Sequence, residues 1–534
     1  MPLKVDSAPI YDRMPTRGEA LCIGLEGSER VPLLIPVEHE QTYKLLDKEE
    51  LERVAGGPRW RALRSRLVLL FWLCWLAMLC TVITIIVYSP RPQAPQLQWW
   101  QRTLFYQLQP MLFLDSNQDG VGVIQGISDR LPYLQSLGVG ALIIGGLLPR
   151  RERTLPPTLT NINHTLGTMT QFQDLVTHGN AIGMKILLDL CNENLTDSSN
   201  VMKLLKRSAN QSLPDQPFPQ SGTVTSALQF WLQQGLAGFR ICDTDAVYSE
   251  ESLLEWRSMV KQFSTEGNER IMVWQVSADT VNSSMADLIT RPLLPSVPHI
   301  LSAQEVGTAI EMALQRPQGV WPSWTIRGPS VGHVASVVGG LHRLFAVLAL
   351  TLPGTPIMHY GEELGLGQSQ NASQAGLAPM NWGSNQNVGA SRRSPAVSGS
   401  VTESSVEDQS LSQSSMLRLF RSLSNTRSRE DALLFGNFTL LPPSNASSVA
   451  SAPSPSPPIL AFLRSWGCVH FLVLLNFGTG KEPLEPQWAF SLPPHGVFVA
   501  STGMDRLGVV SLERLRLRPQ EAMVIKLLEA GSFS

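Results

Sequence analysis

An uncharged apolar run of 21 residues sets the first limit on what this chain can fold into. The run extends from Leu67 to Val87, and only Thr81 and Thr84 interrupt it mildly. As an α-helix it would be roughly 32 Å long, enough to cross the hydrocarbon core of a bilayer. A buried helix of a globular protein is the alternative, but such a helix shows a polar stripe that this run lacks. The run therefore predicts a transmembrane helix over residues 67–88.

The charges on either side of the run predict its orientation. Five arginines precede it closely, at Arg53, Arg59, Arg61, Arg64 and Arg66, whereas only Arg91 and Arg102 follow closely. Arginine-rich flanks stay on the cytoplasmic side of a membrane. A cleaved signal peptide is excluded because 66 residues precede the run and the run is too long for such a peptide. We therefore expect a single-pass type II protein of the plasma membrane, with its N-terminus in the cytoplasm.

The acceptor sites for N-linked glycans have the same one-sided distribution. The first 66 residues contain no asparagine, and every Asn-X-Ser/Thr site follows the apolar run. The predicted glycosylation sites are Asn163, Asn194, Asn210, Asn282, Asn371, Asn437 and Asn445. The distribution favours an extracellular C-terminal part.

Composition excludes two other classes of protein. The net charge is −2 and no dense basic block is present, so nucleic acid is not expected as a partner. Six cysteines in 534 residues are too few for a disulfide-built scaffold.

Changes in pattern divide the chain into six parts. A short helix is predicted just before the membrane, with Asp47 as its N-cap and Gly56 or Gly57 at its end. The expected parts are a cytoplasmic tail with this helix (1–66), the membrane helix (67–88), a proline-rich stalk (89–98), a barrel (99–367), loops with a last barrel helix and a Ser/Pro-rich linker (368–455), and a C-terminal β-domain (456–534).

The barrel is predicted from apolar runs that alternate with amphipathic stretches. These runs read LFYQL, ALIIGG, KILLDL, GFRICD, IMVWQV and PIMHY. Strands that alternate with helices form parallel sheets, and runs apolar on both faces suit a closed (β/α)8 TIM-type barrel. An open doubly wound sheet is the alternative that spacing leaves open. The last runs, from ILAFLR onward, have no helices between them and predict an antiparallel β-sandwich.

Two long segments resemble the α-amylase and α-glucosidase barrels of glycoside hydrolase family 13. The run that begins WWQRTLFYQLQP at Trp99 is similar to their first strand and helix, and TLPGTPIMHYGEELGLG, residues 351–367, is similar to their eighth strand. The chemistry of that family requires two carboxylates that flank the glycosidic bond. By the resemblance, Cys242 stands at the nucleophile, Gln275 at the general acid and Ser330 at the third carboxylate, while Asp189 is kept. No glycosidase activity is therefore expected.

The combination of a type II anchor with emptied catalytic positions resembles a narrower family, the heavy subunits of heteromeric amino-acid transporters. The segment KEELERVAG, Lys48 to Gly56, is similar to their juxtamembrane sequence. The resemblance implies a non-catalytic subunit that escorts a light-chain amino-acid permease to the plasma membrane and stabilises it there. A degenerate sugar-binding or adhesion ectodomain is the alternative function.

The resemblance has one exception that bears on the partner. Such heavy subunits carry a cysteine just outside the membrane that bonds to the light chain, and Pro92 stands at that position here. We therefore expect non-covalent association with the permease, through the membrane helix and the ectodomain. Cys74 and Cys80 within the span are expected to be plain apolar residues.

One loop offers oxygen ligands at alternate positions. Asp115, Asn117 and Asp119 precede Gly120, a spacing that suits Ca²⁺. The related glucosidases bind calcium in this loop, but Val123 replaces their later aspartate. A calcium site and a plain turn both remain open, and no other cofactor is expected.

The remaining candidates are expected to be structural. Cys191 and Cys242 follow neighbouring strands and are predicted to be free buried thiols in preference to a disulfide. His333 and His359 are predicted to be satisfied core or loop histidines. Packing is also the expectation for four tryptophans that an active relative could use to stack on sugars, Trp99, Trp100, Trp321 and Trp324.

Overall fold

The fold is that of a computed structural model of the 534-residue chain. The residues that the structure describes are 47–55, 57–88, 94–149, 159–191, 221–242, 250–275, 286–293, 302–314, 321–326, 333–367, 377–383, 405–441, 458–480, 482–483 and 492–528. The chain divides into two units, residues 1–91 and residues 92–534, and each is described by itself.

The described part of the N-terminal unit contains two helices. Helix α1 spans Lys48–Ala55, and the Lys48 N–H donates to Asp47 Oδ1 over 2.8 Å, as expected of a residue at a helix start. Helix α2 spans Pro58–Tyr88, so it contains the whole predicted span and begins nine residues before it. Proline suits this first helical position because its missing N–H would have no partner there. Helix α2 is long and apolar enough to cross a membrane over Pro58–Ile85, and the side chains of that stretch are exposed.

The second unit begins with a closed barrel of eight parallel strands in chain order, which confirms the predicted fold class. The strands are β1 (Leu104–Leu108), β2 (Val139–Ile144), β3 (Lys185–Asp189), β4 (Gly238–Cys242), β5 (Ile271–Gln275), β6 (Leu288–Pro292), β7 (Pro322–Thr325) and β8 (Thr355–His359). Strand β1 also pairs with β8, with Phe105 opposite Ile357, and this pairing closes the barrel.

The strands are apolar on both faces because both faces are buried. One face packs against the surrounding helices, and the other lies in the barrel interior. Successive side chains on a strand alternate between its two faces. In β1, Leu104, Tyr106 and Leu108 pack with the surrounding helices, whereas Phe105 lies in the barrel interior. The interior cluster contains Phe105, Ala141, Ile143, Leu187, Ala237, Ile271, Val273, Leu288 and Ile357.

Helices follow most of the strands and cover the barrel, as expected for this fold. They are α3 (Trp99–Arg102), α4 (Pro110–Phe113), α5 (Ile124–Asp129), α6 (Leu131–Ser136), α7 (Met169–Ala181), α8 (Ser221–Gln233), α9 (Glu250–Gln262), α10 (Ala303–Leu314), α11 (Val334–Val338), α12 (His342–Thr351), α13 (Val406–Leu411), α14 (Met416–Arg429) and α15 (Asp431–Leu434). A 3-10 turn, Gly339–Leu341, joins α11 to α12. The stretch Val334–Thr351 is also apolar enough to span a membrane, but half of it is buried, as befits a core element.

Two glycines are required where neighbouring backbones meet closely. A Cβ at Gly238, the first residue of β4, would lie 2.0 Å from the carbonyl oxygen of Ile271. A Cβ at Gly354, which has φ +100°, would lie 2.2 Å from the carbonyl oxygen of Pro322. Both contacts are far inside van der Waals distance, so the barrel cannot close around a larger residue at either point.

Tryptophans cover the amino-terminal end of the barrel. Trp99, Trp100 and Trp321 pack against the interior cluster, and Trp99 stacks on Phe105 with ring centroids 6.0 Å apart. Trp324 is buried on β7, and its Nε1 donates to the carbonyl oxygen of Pro353. The prediction that these four tryptophans serve packing is confirmed.

The C-terminal part is an antiparallel β-domain, as predicted. Its six-stranded sheet has the order β14-β13-β16-β11-β10-β9, and β12 pairs with β15 in a separate two-stranded sheet. The strands are β9 (Asn437–Leu440), β10 (Ile459–Trp466), β11 (Val469–Asn476), β12 (Glu482–Pro483), β13 (His495–Ser501), β14 (Val509–Ser511), β15 (Arg516–Leu517) and β16 (Ala522–Leu527). One sheet face joins the barrel's core cluster, and the other packs on Leu512, Leu515 and Leu517.

Two buried arginines donate to carbonyls at the end of α12, Arg427 from α14 and Arg464 from strand β10 of the β-domain. Arg427 donates to four backbone carbonyls, among them those of Leu350 and Leu352. Arg464, on β10, donates to the carbonyl oxygens of Thr351 and Gly436. Helix C-termini leave carbonyls unpaired and attract positive charge, so the guanidinium groups satisfy these acceptors. Burial lowers the pKa of Arg427 to about 10.

Candidate functional site at the carboxyl end of the barrel

The inward-facing side chains change from apolar to polar at the carboxyl end of the strands. That end is where (β/α)8 proteins build their active sites. Alternation along β1 turns Gln107 inward after Phe105, and the strand register sets Gln107 beside His359 of β8. The buried polar residues of this layer are Gln107, Asp189, Arg240, Gln275, Thr290, Ser323 and Thr325.

Asp189, Arg240 and Gln275 form one hydrogen-bonded network across β3, β4 and β5. Arg240, fully buried, donates from Nη1 to Asp189 Oδ2 over 3.0 Å. Its Nη2 donates to Gln275 Oε1. The Gln107 Nε2 group also donates to Asp189 Oδ2, over 2.8 Å. Removing either partner from a buried ion pair of this kind leaves an uncompensated charge, so these residues maintain one another in the interior.

The structure corrects the prediction for the two barrel cysteines. Cys191 and Cys242 form a disulfide, with Cα atoms 5.0 Å apart. Asp189 pairs with Arg240 in the parallel ladder, so the two cysteines, each two residues further on, stand opposite each other. Cys191 lies beyond the end of β3, where the ladder no longer restrains its backbone. The prediction of two free buried thiols was therefore wrong.

The disulfide determines what the site can do chemically. A sulfur in a disulfide has no thiolate to act as a nucleophile. The Cys242 sulfur lies 3.7 Å from Gln275 Oε1, so the disulfide and the amide occupy adjoining parts of the barrel mouth. Gln275 cannot deliver and recover a proton as a general acid must. Ser330, which the resemblance aligns with the third carboxylate, lies outside the described residues.

Two buried carboxyl groups after β8, those of Glu362 and Glu363, were not identified from the sequence, although they lie in its GEELG segment. Glu363 accepts hydrogen bonds from the hydroxyls of Tyr106, over 2.7 Å, and Tyr133, over 2.9 Å. Burial raises the pKa of Glu363 to about 6, and the two tyrosine hydrogen bonds oppose that rise. Burial raises the pKa of Glu362 to about 8, while the hydrogen bond from the His359 N–H opposes it. Glu363 thus joins β1, α6 and the turn after β8.

The two histidines differ in how well they are satisfied. His333 Nε2 lies 3.1 Å from the Ala378 carbonyl oxygen, which confirms the prediction for this residue. His359 Nε2 is buried without a hydrogen-bond partner among the described groups, so the same prediction was wrong for His359. Burial, followed by the charge of Arg240, lowers the pKa of His359 to about 3. The His359 imidazole is therefore neutral at every physiological pH.

The predicted calcium loop is held by its own hydrogen bonds. Asp115 Oδ2 accepts from the Gly120 N–H over 2.7 Å, and the two oxygens of Asp119 accept from Asn117 Nδ2 and the Val121 N–H. Of the carboxylate oxygens of Asp115 and Asp119, Asp115 Oδ1 is the one that is buried with no partner among the described groups. No cluster of three or more His, Cys, Asp or Glu side chains suited to a metal occurs in the described ranges. One free carboxylate oxygen is a weak fit to calcium, and binding here stays a prediction.

Few of the predicted surface positions lie in the described ranges. Among the glycosylation sites, Asn163 is half-buried and Asn437 is exposed. The other five, Asn194, Asn210, Asn282, Asn371 and Asn445, lie outside the described residues, as does Pro92. The described cysteines without a disulfide are Cys74, Cys80 and Cys468, all exposed.

The fold and the site together define the class: an amylase-type (β/α)8 barrel with a C-terminal β-domain, preceded by a helix of membrane-spanning length. Solved structures of sugar-active enzymes have the same fold. Trehalose-6-phosphate hydrolase of Bacillus licheniformis is 15% identical with a TM-score of 0.62, and covers 81% of this chain and 100% of its own. The trehalulose synthase MutB is 17% identical with a TM-score of 0.61 and the same coverage. Likenesses at this identity show the fold alone.

Sequence comparison identifies the family. Residues 34–106 match the model described as the solute carrier family 3 member 2 N-terminus, and residues 107–224 match the α-amylase catalytic domain. The amino acid transporter heavy chain SLC3A2 of Oryctolagus cuniculus is 30% identical over 90% of this chain and 87% of its own length. The heavy chain SLC3A1 of Rattus norvegicus is 26% identical over 85% and 81%. A salivary α-glucosidase of Anopheles gambiae is 23% identical over 66% and 81%.

This chain belongs to the amino acid transporter heavy chains. The family resemblance inferred from its motifs is confirmed.

Proposed function

We propose that this protein is a non-catalytic heavy chain that escorts a light-chain amino-acid permease to the plasma membrane and stabilises it there. The observation that carries the proposal is the disulfide of Cys242, at the nucleophile position of an amylase-type barrel, in a chain related to transporter heavy chains over 90% of its length. Family membership supports an ancillary role in amino-acid transport. A single membrane helix cannot enclose a path for a solute, so the permease supplies that path.

The substituted barrel supports the absence of glycosidase activity. Family-type hydrolysis needs a nucleophile and a proton donor on either side of the bond. Cys242 is held in a disulfide, Gln275 is an amide, and the sequence has Ser330 at the third position. Asp189, the carboxylate on the strands of this network, is already paired with Arg240. The barrel therefore serves as a folded extracellular surface.

The proposed topology is type II, with the N-terminus in the cytoplasm and the barrel and β-domain outside. The arginines before the span support this orientation. The acceptor asparagines, all of which follow the span, support a glycosylated exterior.

We place the contact with the permease on α2 and on the ectodomain, without a covalent bond. Most side chains of the span are large and apolar, and those that the structure describes are exposed, so they require lipid or another helix around them. Pro92 stands where the bridging cysteine of related heavy subunits is expected. The span cysteines, Cys74 and Cys80, then pack as small apolar groups.

Surface delivery tests the proposed escort role. Each of a panel of light-chain permeases is expressed alone, with the full chain, or with a variant whose residues 67–88 are replaced by an unrelated apolar span. Surface biotinylation should show one or more permeases reaching the plasma membrane only with the intact chain. Equal delivery in all three arms for every permease would contradict the proposal and favour the sugar-binding alternative.

Non-reducing electrophoresis tests the proposed mode of association. The complex should separate into its two chains in detergent without any reductant. Cys468→Ser is the matched control, since Cys468 is the one described cysteine outside the span that carries no disulfide. A larger species that disappears with reductant, or in Cys468→Ser, would contradict non-covalent association.

A further inference from the structure

An exposed glycan acceptor lies on the outermost strand of the C-terminal sheet. Strand β9, Asn437–Leu440, is the last strand in the order of the six-stranded sheet. Asn437 and Thr439, the two defining residues of the site, are exposed, whereas Phe438 and Leu440 are half-buried. Residues two apart on a strand share a face, so acceptor amide and hydroxyl both lie on the solvent face of β9.

The Asn437 side chain is free to carry a large group. Its carboxamide forms no hydrogen bond with any group in the described part of the chain. The other described acceptor differs, because Asn163 is half-buried and its Oδ1 accepts from the Thr165 N–H over 3.2 Å and hydroxyl over 3.0 Å. A sugar on Asn437 therefore displaces no contact in the fold, whereas one on Asn163 must fit beside its turn.

The register of β9 shows which backbone groups its outer edge presents. The Leu441 N–H donates to the Ala461 carbonyl oxygen, so residues 437, 439 and 441 direct their backbone groups toward β10. Phe438 and Leu440 then direct theirs away from the sheet. Within the described ranges no strand pairs on that side of β9. An open edge of this kind can pair with another chain unless something covers it.

We propose that Asn437 carries an N-linked glycan, and that this glycan prevents the outer edge of β9 from pairing with a second copy of the chain. This modification requires the extracellular orientation given in the proposed function.

In the glycosylation reaction, the Asn437 Nδ2 forms a bond to the anomeric carbon of a lipid-diphosphate-linked oligosaccharide. The carbon–oxygen bond to the diphosphate breaks, the lipid diphosphate leaves with the electron pair, and the proton lost from the amide goes to base. No electron transfer is involved.

Peptide mapping of the full chain from the surface of mammalian cells tests the modification. Asn437 should be glycosylated in the unaltered chain and in Thr439→Ser, which keeps the acceptor site, and unmodified in Thr439→Ala. An unmodified Asn437 beside an occupied Asn163 would overturn this inference alone. Absence of glycans at every acceptor would overturn the extracellular orientation as well. The unaltered chain decides the first point even where a variant folds poorly.

Self-association tests the shielding. Full-length Thr439→Ala and Thr439→Ser are compared by chemical cross-linking on intact cells, with Thr165→Ala as a control that removes the acceptor at Asn163. Two paired edge residues stabilise a contact enough to raise the cross-linked homodimer by about fivefold in Thr439→Ala. Thr165→Ala and Thr439→Ser should match the unaltered chain. Equal dimer fractions in all forms, or an equal rise in Thr165→Ala, would overturn the shielding role.

Discussion

The disulfide at the barrel mouth offers the sharpest test of how this end of the barrel supports the fold. Replacing both cysteines, in the double variant Cys191→Ser with Cys242→Ser, removes the bond without leaving a lone thiol. The bond joins residues 51 apart in sequence. It also holds the segment after β3 beside the Asp189, Arg240 and Gln275 network, since the Cys191 N–H donates to Asp189 Oδ1 over 2.9 Å.

The expected loss follows from the length of the closed loop. A loop of this length restricts the unfolded chain by about 4 kcal/mol at 25 °C. The unit from residue 92 onward has roughly 440 residues, which gives an unfolding entropy of about 0.9 kcal/mol per kelvin. The melting temperature should therefore fall by about 4 °C.

The assay is thermal unfolding of the full-length chain in detergent, followed by near-ultraviolet circular dichroism. Cys468→Ser is the matched control, because it removes an exposed cysteine without a disulfide and should melt like the unaltered chain. Reductant should lower the melting temperature of the unaltered chain to that of the double variant, and should leave the double variant unchanged. A double variant that melts within 1 °C of the unaltered chain, with the bond present in the latter, would refute the reasoning.

Three further predictions concern the buried polar groups and the emptied site. First, the pKa of His359 is about 3 in the folded chain and about 6.5 when unfolded, so the contribution of His359 to the free energy of unfolding should fall by about 1.4 kcal/mol per pH unit below 6.5. The pKa of Glu363, about 6 against an ordinary 4.5, acts in the opposite sense and adds stability as the pH falls toward 4.5. Glu362, with a pKa of about 8, acts in the same sense as Glu363. When the pH is lowered from 7.5 to 5.5, urea unfolding should therefore show His359→Asn gaining stability relative to the unaltered chain and Glu363→Gln losing stability relative to it. An unchanged pH dependence in His359→Asn would contradict this. Second, Arg464→Met should lower the free energy of unfolding by about 2–4 kcal/mol, because two buried carbonyls lose their donor. Arg514→Met, at an exposed position, is the control and should change the urea midpoint little. Equal midpoints in the two variants would contradict the role of Arg464 in satisfying these carbonyls. Third, the full chain should release no measurable glucose from maltose or an aryl glucoside, and turnover above a heat-inactivated control would contradict the emptied site.

The fold class could be predicted from the sequence because the patterns that indicate it are long. The apolar span, the alternation of strands with helices, and the change to consecutive strands after residue 456 each depend on many residues. Short elements gave no such signal: β9 has four residues, and β6 ends in Arg291 and Pro292. Strand β7 has four residues and begins with a proline, a pattern that does not indicate a strand.

The sequence named Cys242 and Gln275, but it did not show the bonds that these residues form in the folded chain. The substitutions at Cys242 and Gln275 follow from aligning motifs, whereas the disulfide depends on the register between β3 and β4, which spacing does not contain. The buried arginines show the same limit. Arg427 and Arg464 lie 37 positions apart, and only the folded chain brings both to carbonyls at the end of α12. Local sequence patterns therefore indicate helices and strands, whereas the bonds of the site depend on contacts between residues far apart in the chain.

Amino-acid uptake tests the central claim most directly. Cells that lack endogenous heavy chains express a panel of light-chain permeases, each with and without the full chain, and radiolabelled leucine uptake is compared at equal permease abundance. At least one permease should transport leucine only when the full chain is present, and the chain alone should transport none. Uptake that is the same with and without the chain for every permease would contradict an ancillary role in amino-acid transport.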